Sequence, residues 1–276
     1  MDRTVILERL RSEVAQGRPV IGAGAGTGLS AKCAEIGGAD LLIIYNSGRY
    51  RMAGRGSAAG LLPYGDANAI VMEMSAEVLP VVRDTPVLAG VCGTDPFRDM
   101  RILLEEIRRI GFSGVQNFPT VGLFEGRIRA NLEETGMGFD REVEMIRLAH
   151  EMDLFTSPYA FTRQEGKDLA GAGADLVVAH VGTSSSGLIG AESVMSLDEA
   201  VQRVAEIEAA THAANPEVMV LCHGGPIVGA DEAARVIRAV PGVVGFYGAS
   251  SMERIPVEKA ITEHVAGFKK IPFHTR

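Results

Sequence analysis

The chain has 276 residues, 46% of them hydrophobic and 22% charged, an ordinary globular composition with enough sequence to enclose one large core. A formal charge of −8 without a basic stripe argues against a nucleic-acid partner, and no apolar run reaches the roughly 20 residues of a membrane span. The charged amphipathic start MDRTVILERLRSEV is not a secretory signal, and Cys33, Cys92 and Cys222 are too few for a disulfide framework and lack metal-ligand spacing; a cytoplasmic protein with free thiols is expected.

In chain order, a helix over 4–15 comes first, and short apolar runs then predict strands at 19–24, 41–45, 86–91, 114–118, 154–157, 176–180, 218–223 and 243–247. Runs such as LLIIY and VMVLC are almost continuously apolar, as parallel strands buried on both faces require. Helical periodicity fills the intervals. Over 100–110 it puts Ile102, Leu103, Ile107 and Ile110 on one face and Arg101, Glu105, Arg108 and Arg109 on the other. Asp99, Asp140 and Ser196 precede periodic stretches and are expected N-caps. GGAD at 37–40 and GAGAD at 171–175 have the form of turns that end a helix on glycine and open a strand. Eight β-then-α units plus the first helix predict an α/β fold, a single (β/α)8 TIM barrel over 1–276, in preference to an open doubly wound sheet. The long segments at 46–66, 119–139 and 181–196 then all emerge at the end of the barrel where such folds carry function.

Candidate chemistry gathers at the strand ends. His180 closes the sixth strand and His223 the seventh, so the two are expected as neighbours able to move protons near neutral pH. Gly224 and Gly225 follow the seventh strand, and Gly248, Ala249 and Ser250 end the eighth, where barrels commonly bind anions through bare backbone N–H groups. The glycine run at 22–28 is no dinucleotide fingerprint, because YNSGR stands where an acidic residue would end the second strand; Gly22 and Gly24 are assigned to the floor of the barrel mouth. The next segment carries Arg49, Arg51 and Arg55 among glycines, and it is expected either to close over a substrate or to stand as a solvated loop or subunit contact. Asn46, Ser47 and Arg49 are its anion-binding candidates. Asn117 in the fourth strand and Glu125 beyond it join the histidines as catalytic candidates, with Asp95 after the third strand as a possible ligand for metal. No strand carries a lysine, which argues against Schiff-base chemistry.

The runs GAGAGTGLSAKCAE, LLIIYNSGRYRMAGRGS, LLPYGDANAIVMEM, LAGVCGTDPF, GVQNFPTVGL and NLEETGMGF resemble the phosphoenolpyruvate hydrolase-like family, over nearly the whole chain. That family is also described as TIM-barrel signal-transduction proteins, and a similar domain forms the C-terminal part of a tomato mosaic virus resistance protein. Its kinship with the phosphoenolpyruvate mutase and isocitrate lyase superfamily implies a barrel, a 2-oxo acid or enolpyruvate substrate and Mg2+. Where that superfamily has an acidic D-x-D pattern, this chain has GVCGTDP, with Asp95 alone. The resemblance therefore implies an enzyme acting on a small anionic metabolite, a phosphoenolpyruvate- or phosphonopyruvate-like acid, by hydrolysis or C–C or C–P cleavage. A divalent cation near Asp95 and Glu125 would polarise the substrate, His180 and His223 would move protons, and the protein would be a homo-oligomer. The alternative is a barrel that senses a metabolite or builds an assembly without turnover.

Overall fold

The computed structural model describes residues 1–273. The apolar runs form the parallel strands β1 (Val20–Gly24), β2 (Leu41–Ile44), β3 (Val87–Gly90), β4 (Gly114–Gln116), β7 (Leu176–His180), β8 (Met219–His223) and β9 (Val243–Gly248). The fifth run is longer than expected and is split by Ser157 and Pro158 into β5 (Phe155–Thr156) and β6 (Tyr159–Ala160). Pro158 has no N–H to give a ladder, but its carbonyl accepts from Val178 N at 2.8 Å. The strand order is β5-β4-β3-β2-β1-β9-β8-β7-β6, with β5 paired to β4 and β6 to β7. The two ends of the sheet are thus two halves of one extended segment, and the sheet closes as a barrel of eight strand positions, as predicted.

Eleven helices surround it among the described residues: α1 (Arg3–Ala15), α2 (Gly28–Ile36), α3 (Asn46–Met52), α4 (Ala67–Val78), α5 (Met100–Ile110), α6 (Gly126–Glu134), α7 (Phe139–Glu151), α8 (Arg163–Gly171), α9 (Leu197–Ala214), α10 (Ala230–Ala239) and α11 (Arg254–Lys269). Asp99 caps α5, accepting from the amides of Arg101 and Ile102 at 2.9 and 3.2 Å, and Ser196 caps α9 in a reciprocal box with Glu199. Two local expectations change. Gly138 precedes α7, so Asp140 sits in its first turn, where its charge meets the helix dipole without capping it. On α5, Ile102 faces water and Leu104 takes its place in the core. The 46–66 segment is largely helical, with α3 followed by a 3-10 turn at Ser57–Leu61, so it forms a packed cover over one side of the mouth and no open loop. No described helix is long and apolar enough to cross a membrane.

The aspartates of the two glycine-rich turns fasten strands together from the end opposite the mouth. Asp40 accepts from Ile21 N at 2.8 Å. Asp175 accepts from Thr156 N at 3.0 Å and from Arg3 Nε and NH2 at 2.9 and 2.7 Å, so its carboxylate bridges β5 to the start of β7, where no backbone ladder joins them. Removing it would strand the buried amide of Thr156, whose hydroxyl keeps the backbone amide of residue 175 as its donor at 3.0 Å. Asp175→Ala should therefore cost about 2–4 kcal/mol of stability, read by chemical denaturation. A loss below about 0.5 kcal/mol, the level of an ordinary surface change, would show that the seam closes without it.

Candidate active site

His180 and His223 are register partners on β7 and β8. Strand alternation turns both into the barrel, and their rings meet edge to face with centroids 4.5 Å apart. The backbone then gives each ring a different proton arrangement. Gly182 N donates to Nδ1 of His180 at 3.0 Å, which leaves that ring's proton on Nε2. Nδ1 of His223 faces the carbonyl of Tyr247 and must donate to it, which leaves Nε2 of His223 as an open lone pair. Neither Nε2 has a protein partner among the described residues, and both rings line one cleft at the mouth. Burial, with the neighbouring imidazole, pushes His180 well below the usual histidine range. Burial pushes His223 down to about 4, against the opposing pull of the Tyr247 carbonyl. At neutral pH the pair is uncharged, with one donor and one acceptor side by side.

Aromatic rings hold this pair. Tyr159 stacks on His223 at 5.2 Å and meets His180 edge-on at 4.8 Å, while Phe161 lies 4.5 Å from His180 on another side. Burial raises the phenols of Tyr159 and Tyr247 above their ordinary range, so they stay protonated. Asn117 is the strut behind Tyr159. Its amide accepts from Tyr159 N at 2.7 Å, and its Nδ2 donates to the Tyr159 carbonyl at 3.2 Å and to Glu142 Oε2 at 2.6 Å. Glu142 also accepts from Val121 N at 2.7 Å; burial nevertheless pushes its carboxyl up to about 8.

The cleft's cation is Arg51, on α3. Its Nε and NH2 donate to Glu253 Oε1 at 3.0 and 2.7 Å, its NH1 donates to Ser47 Oγ at 3.0 Å, and its guanidinium carbon lies 5.2 Å from the Tyr45 ring centroid. Both members of the pair are buried, each side chain only 1% exposed, and Arg51 borders the cleft. Glu253 Oε2 accepts from Gly26 N at 2.5 Å, so one carboxylate ties together the turns after β1, β2 and β9. Hydroxyls complete the lining, with Ser57 Oγ and Ser250 Oγ 3.1 Å apart across its rim. The cleft is narrow, with a cavity volume of about 30 Å³.

Several residues singled out from the sequence meet here: His180, His223, Ser47, Ala249 and Ser250 line the cleft, and a Cβ at Gly24 would lie 3.4 Å from Arg51 NH2. Others stand elsewhere. Gly22 leaves room for the Tyr247 ring, and Gly248 for Met252 and Ser251. Gly224 and Gly225 hold left-handed backbone, with φ of 88° and 55°, and the Gly225 amide already donates to the Gly182 carbonyl at 2.8 Å, so it is no free anion donor. Asn46 donates to the Gly60 carbonyl at 2.9 Å and lines a neighbouring cleft. Arg49 points to solvent and pairs with Glu73 at 2.7 Å. Asn117 acts through Tyr159 and does not reach the cleft, and Glu125 is exposed at the start of α6. Arg51, Glu253, Tyr45 and Tyr159 were not among the selected site residues. The i, i+4 spacing of Ser47 and Arg51 is the signal that a helical reading of NSGRYRM would have used; Tyr159 lay beyond a strand expected to end at 157.

The sequence model of the Phosphoenolpyruvate hydrolase-like family matches residues 5–271. The chain belongs to this family. It is 61% identical over 269 residues to the tomato (Solanum lycopersicum) ToMV susceptible protein tm-1(GCR26) and to the ToMV resistance protein Tm-1(GCR237), covering 98% of this chain and 36% of each relative. The chain thus spans about a third of the length of these curated relatives. Among solved structures it resembles phosphoenolpyruvate phosphomutase from Streptomyces platensis subsp. rosaceus, with a TM-score of 0.58 at 18% identity, covering 96% of this chain and 87% of the other. A phosphonopyruvate hydrolase in complex with oxalate and Mg2+ gives a TM-score of 0.58 at 18% identity, covering 98% and 88%. The chain thus shares its barrel fold with these two solved structures.

The expected metal ligand does not fit a divalent cation here. Asp95 Oδ1 accepts from Phe97 N at 2.9 Å, and Oδ2 accepts from Asn68 Nδ2 at 3.0 Å and from Arg98 NH1 at 2.5 Å. No group of three or more His, Cys, Asp or Glu side chains among the described residues converges as a metal site. Mg2+ is held through carboxylate oxygens that are free to bind it, and both Asp95 oxygens are already engaged by the Phe97 amide, Asn68 and Arg98.

The histidine pair also weakens the fold toward acid, in the opposite sense to Glu142, whose raised carboxyl favours the fold as pH drops. Because both imidazoles have depressed values in the folded protein, the unfolded chain binds more protons between its ordinary histidine value near 6.5 and about 4. Stability should fall with pH through that window by up to about 1.4 kcal/mol per pH unit for each histidine. The double variant His180→Gln/His223→Gln should flatten this acid limb in denaturation curves taken from pH 7 to 4.5. An unchanged slope would mean that the imidazoles are not held neutral.

Proposed function

We propose that the protein is an enzyme that cleaves a small anionic 2-oxo acid or a related phospho-acid in the barrel mouth, by hydrolysis or by breaking a C–C or C–P bond. The observation that carries this reading is the neutral His180–His223 pair, with a fixed donor beside a fixed acceptor in one cleft. Breaking a bond next to a 2-oxo group gathers negative charge on the oxo oxygen as an enolate forms. His180 Nε2–H donates to that oxygen, and His223 Nε2 takes the proton from the attacking water or from a substrate hydroxyl. Arg51 orients the carboxylate. The aromatic wall of Tyr45, Tyr159 and Phe118 keeps the reacting end dry, which strengthens each hydrogen bond. Membership of the family and a barrel shared with phosphonopyruvate hydrolase support the substrate class.

The same reading makes the protein a homo-oligomer, supported by Val257, Ile261, Val265 and Phe268, which stand exposed at helical spacing along α11.

The test is a screen of purified protein for pyruvate or oxalate release from acylpyruvates, oxaloacetate, phosphonopyruvate and phosphoenolpyruvate. Turnover of at least one, with losses of about 10²-fold or more in both His180→Asn and His223→Asn, is the expected result. Single-variant losses that fail to add in the double variant would mark the two as one unit. Tight binding across the panel without turnover would sink the catalytic reading and leave a metabolite-sensing barrel.

A further inference from the structure

A small acid brings into the cleft a negative charge that a cation must meet. We infer that the Arg51 guanidinium is the built-in cation of this site, and that it receives the substrate carboxylate without a divalent metal. This rests on the small-acid reading above. A guanidinium has five N–H donors; three of them are engaged, two by Glu253 and one by Ser47. Two N–H groups, on NH1 and NH2, have no protein acceptor among the described residues, and Arg51 lines the same cleft as His180 and His223. The planar fork suits a carboxylate, and a site shielded from water raises the strength of that contact.

The guanidinium is also held in place before any ligand arrives. Glu253, itself fixed by the Gly26 amide, grips its Nε side; Ser47, one helical turn back on α3, grips NH1; and Tyr45 lies against it. Glu253 is thus a positioning residue that acts through Arg51. The rest of the lining is imidazole, phenol, hydroxyl and hydrocarbon, and it includes no carboxylate. That donor set would hold a hard cation poorly, and it offers an acid's carboxylate several hydrogen-bond donors around one positive charge. The nearest sequence candidate for a metal ligand, Asp95, is saturated by Arg98, Asn68 and the Phe97 amide, and it borders other clefts.

The experiment is calorimetric titration of the protein with oxalate, once in EDTA and once in Mg2+. Wild type should bind with the same Kd in both. Arg51→Gln/Glu253→Gln removes the charge pair together, so that neither partner is left buried alone; it should bind at least about tenfold more weakly while keeping wild-type circular dichroism. Arg51→Lys, which retains the charge but loses the fork, should also weaken binding by about tenfold, and it decides the guanidinium's role if the double variant does not fold. Oxalate binding that appears only with Mg2+, or wild-type affinity in the folded variants, would overturn the inference and leave the small-acid reading standing. No binding of oxalate or pyruvate by wild type in either buffer would overturn that reading and this inference with it.

Discussion

The in-register pairing of His180 with His223 is the constraint on which the site depends. A parallel ladder fixes the separation of neighbouring strands near 4.8 Å, so two histidines at the same height in β7 and β8 have no choice but to place their rings in contact. Their tautomers are then written by the backbone on either side. The turn after β7 points the Gly182 amide at one Nδ1, and β9 points the Tyr247 carbonyl at the other. A shift of one residue in that ladder would turn one imidazole out of the barrel and dissolve the pair.

This arrangement explains why the upper barrel departs from a purely aliphatic filling. Layers below the mouth are built from residues such as Leu41, Ile43, Val178 and Leu221, all fully buried. Above them come Tyr45, Tyr159, Tyr247, two histidines and a buried Arg–Glu pair. Such groups stabilise a fold less well than hydrocarbon of the same volume. Their arrangement is a tightly packed, low-dielectric cleft in which a few hydrogen-bonding atoms remain unmatched, and that is the condition under which oriented donors act strongly on a bound anion. The aspartates at the opposite end, Asp40 and Asp175, serve the frame alone.

Much of this was legible from the sequence because it is local. Continuous apolar runs, helix caps at Asp99 and Ser196, and glycine-ended turns each carry their own physical signature, and together they specify the order of strands and hence the adjacency of His180 and His223. What escaped is non-local. Glu253 meets Arg51 across 202 positions of chain, and nothing near either residue announces the other. Arg49 and Arg51 are two residues apart in a glycine-rich stretch, and only the helical phase of α3 sends one to solvent and the other inward. Tyr159 was hidden by Pro158, which reads as a strand terminus in sequence but occurs here between two halves of one strand. Asn117 and Asp95 carry the right functional groups at the right ends of strands, yet their hydrogen bonds are satisfied within the protein.

The central claim is that the two imidazoles are neutral and hold opposite tautomers. Nitrogen-15 NMR of histidine-labelled protein at pH 7, with His180→Asn and His223→Asn used to assign the signals, measures this directly, because protonated, hydrogen-bonded and lone-pair ring nitrogens have distinct shifts. The account predicts a lone pair on Nδ1 and a proton on Nε2 for His180, and the reverse for His223, with no change on lowering the pH to about 5.5. Identical tautomers, or an imidazolium signal from either residue at pH 7, would contradict it.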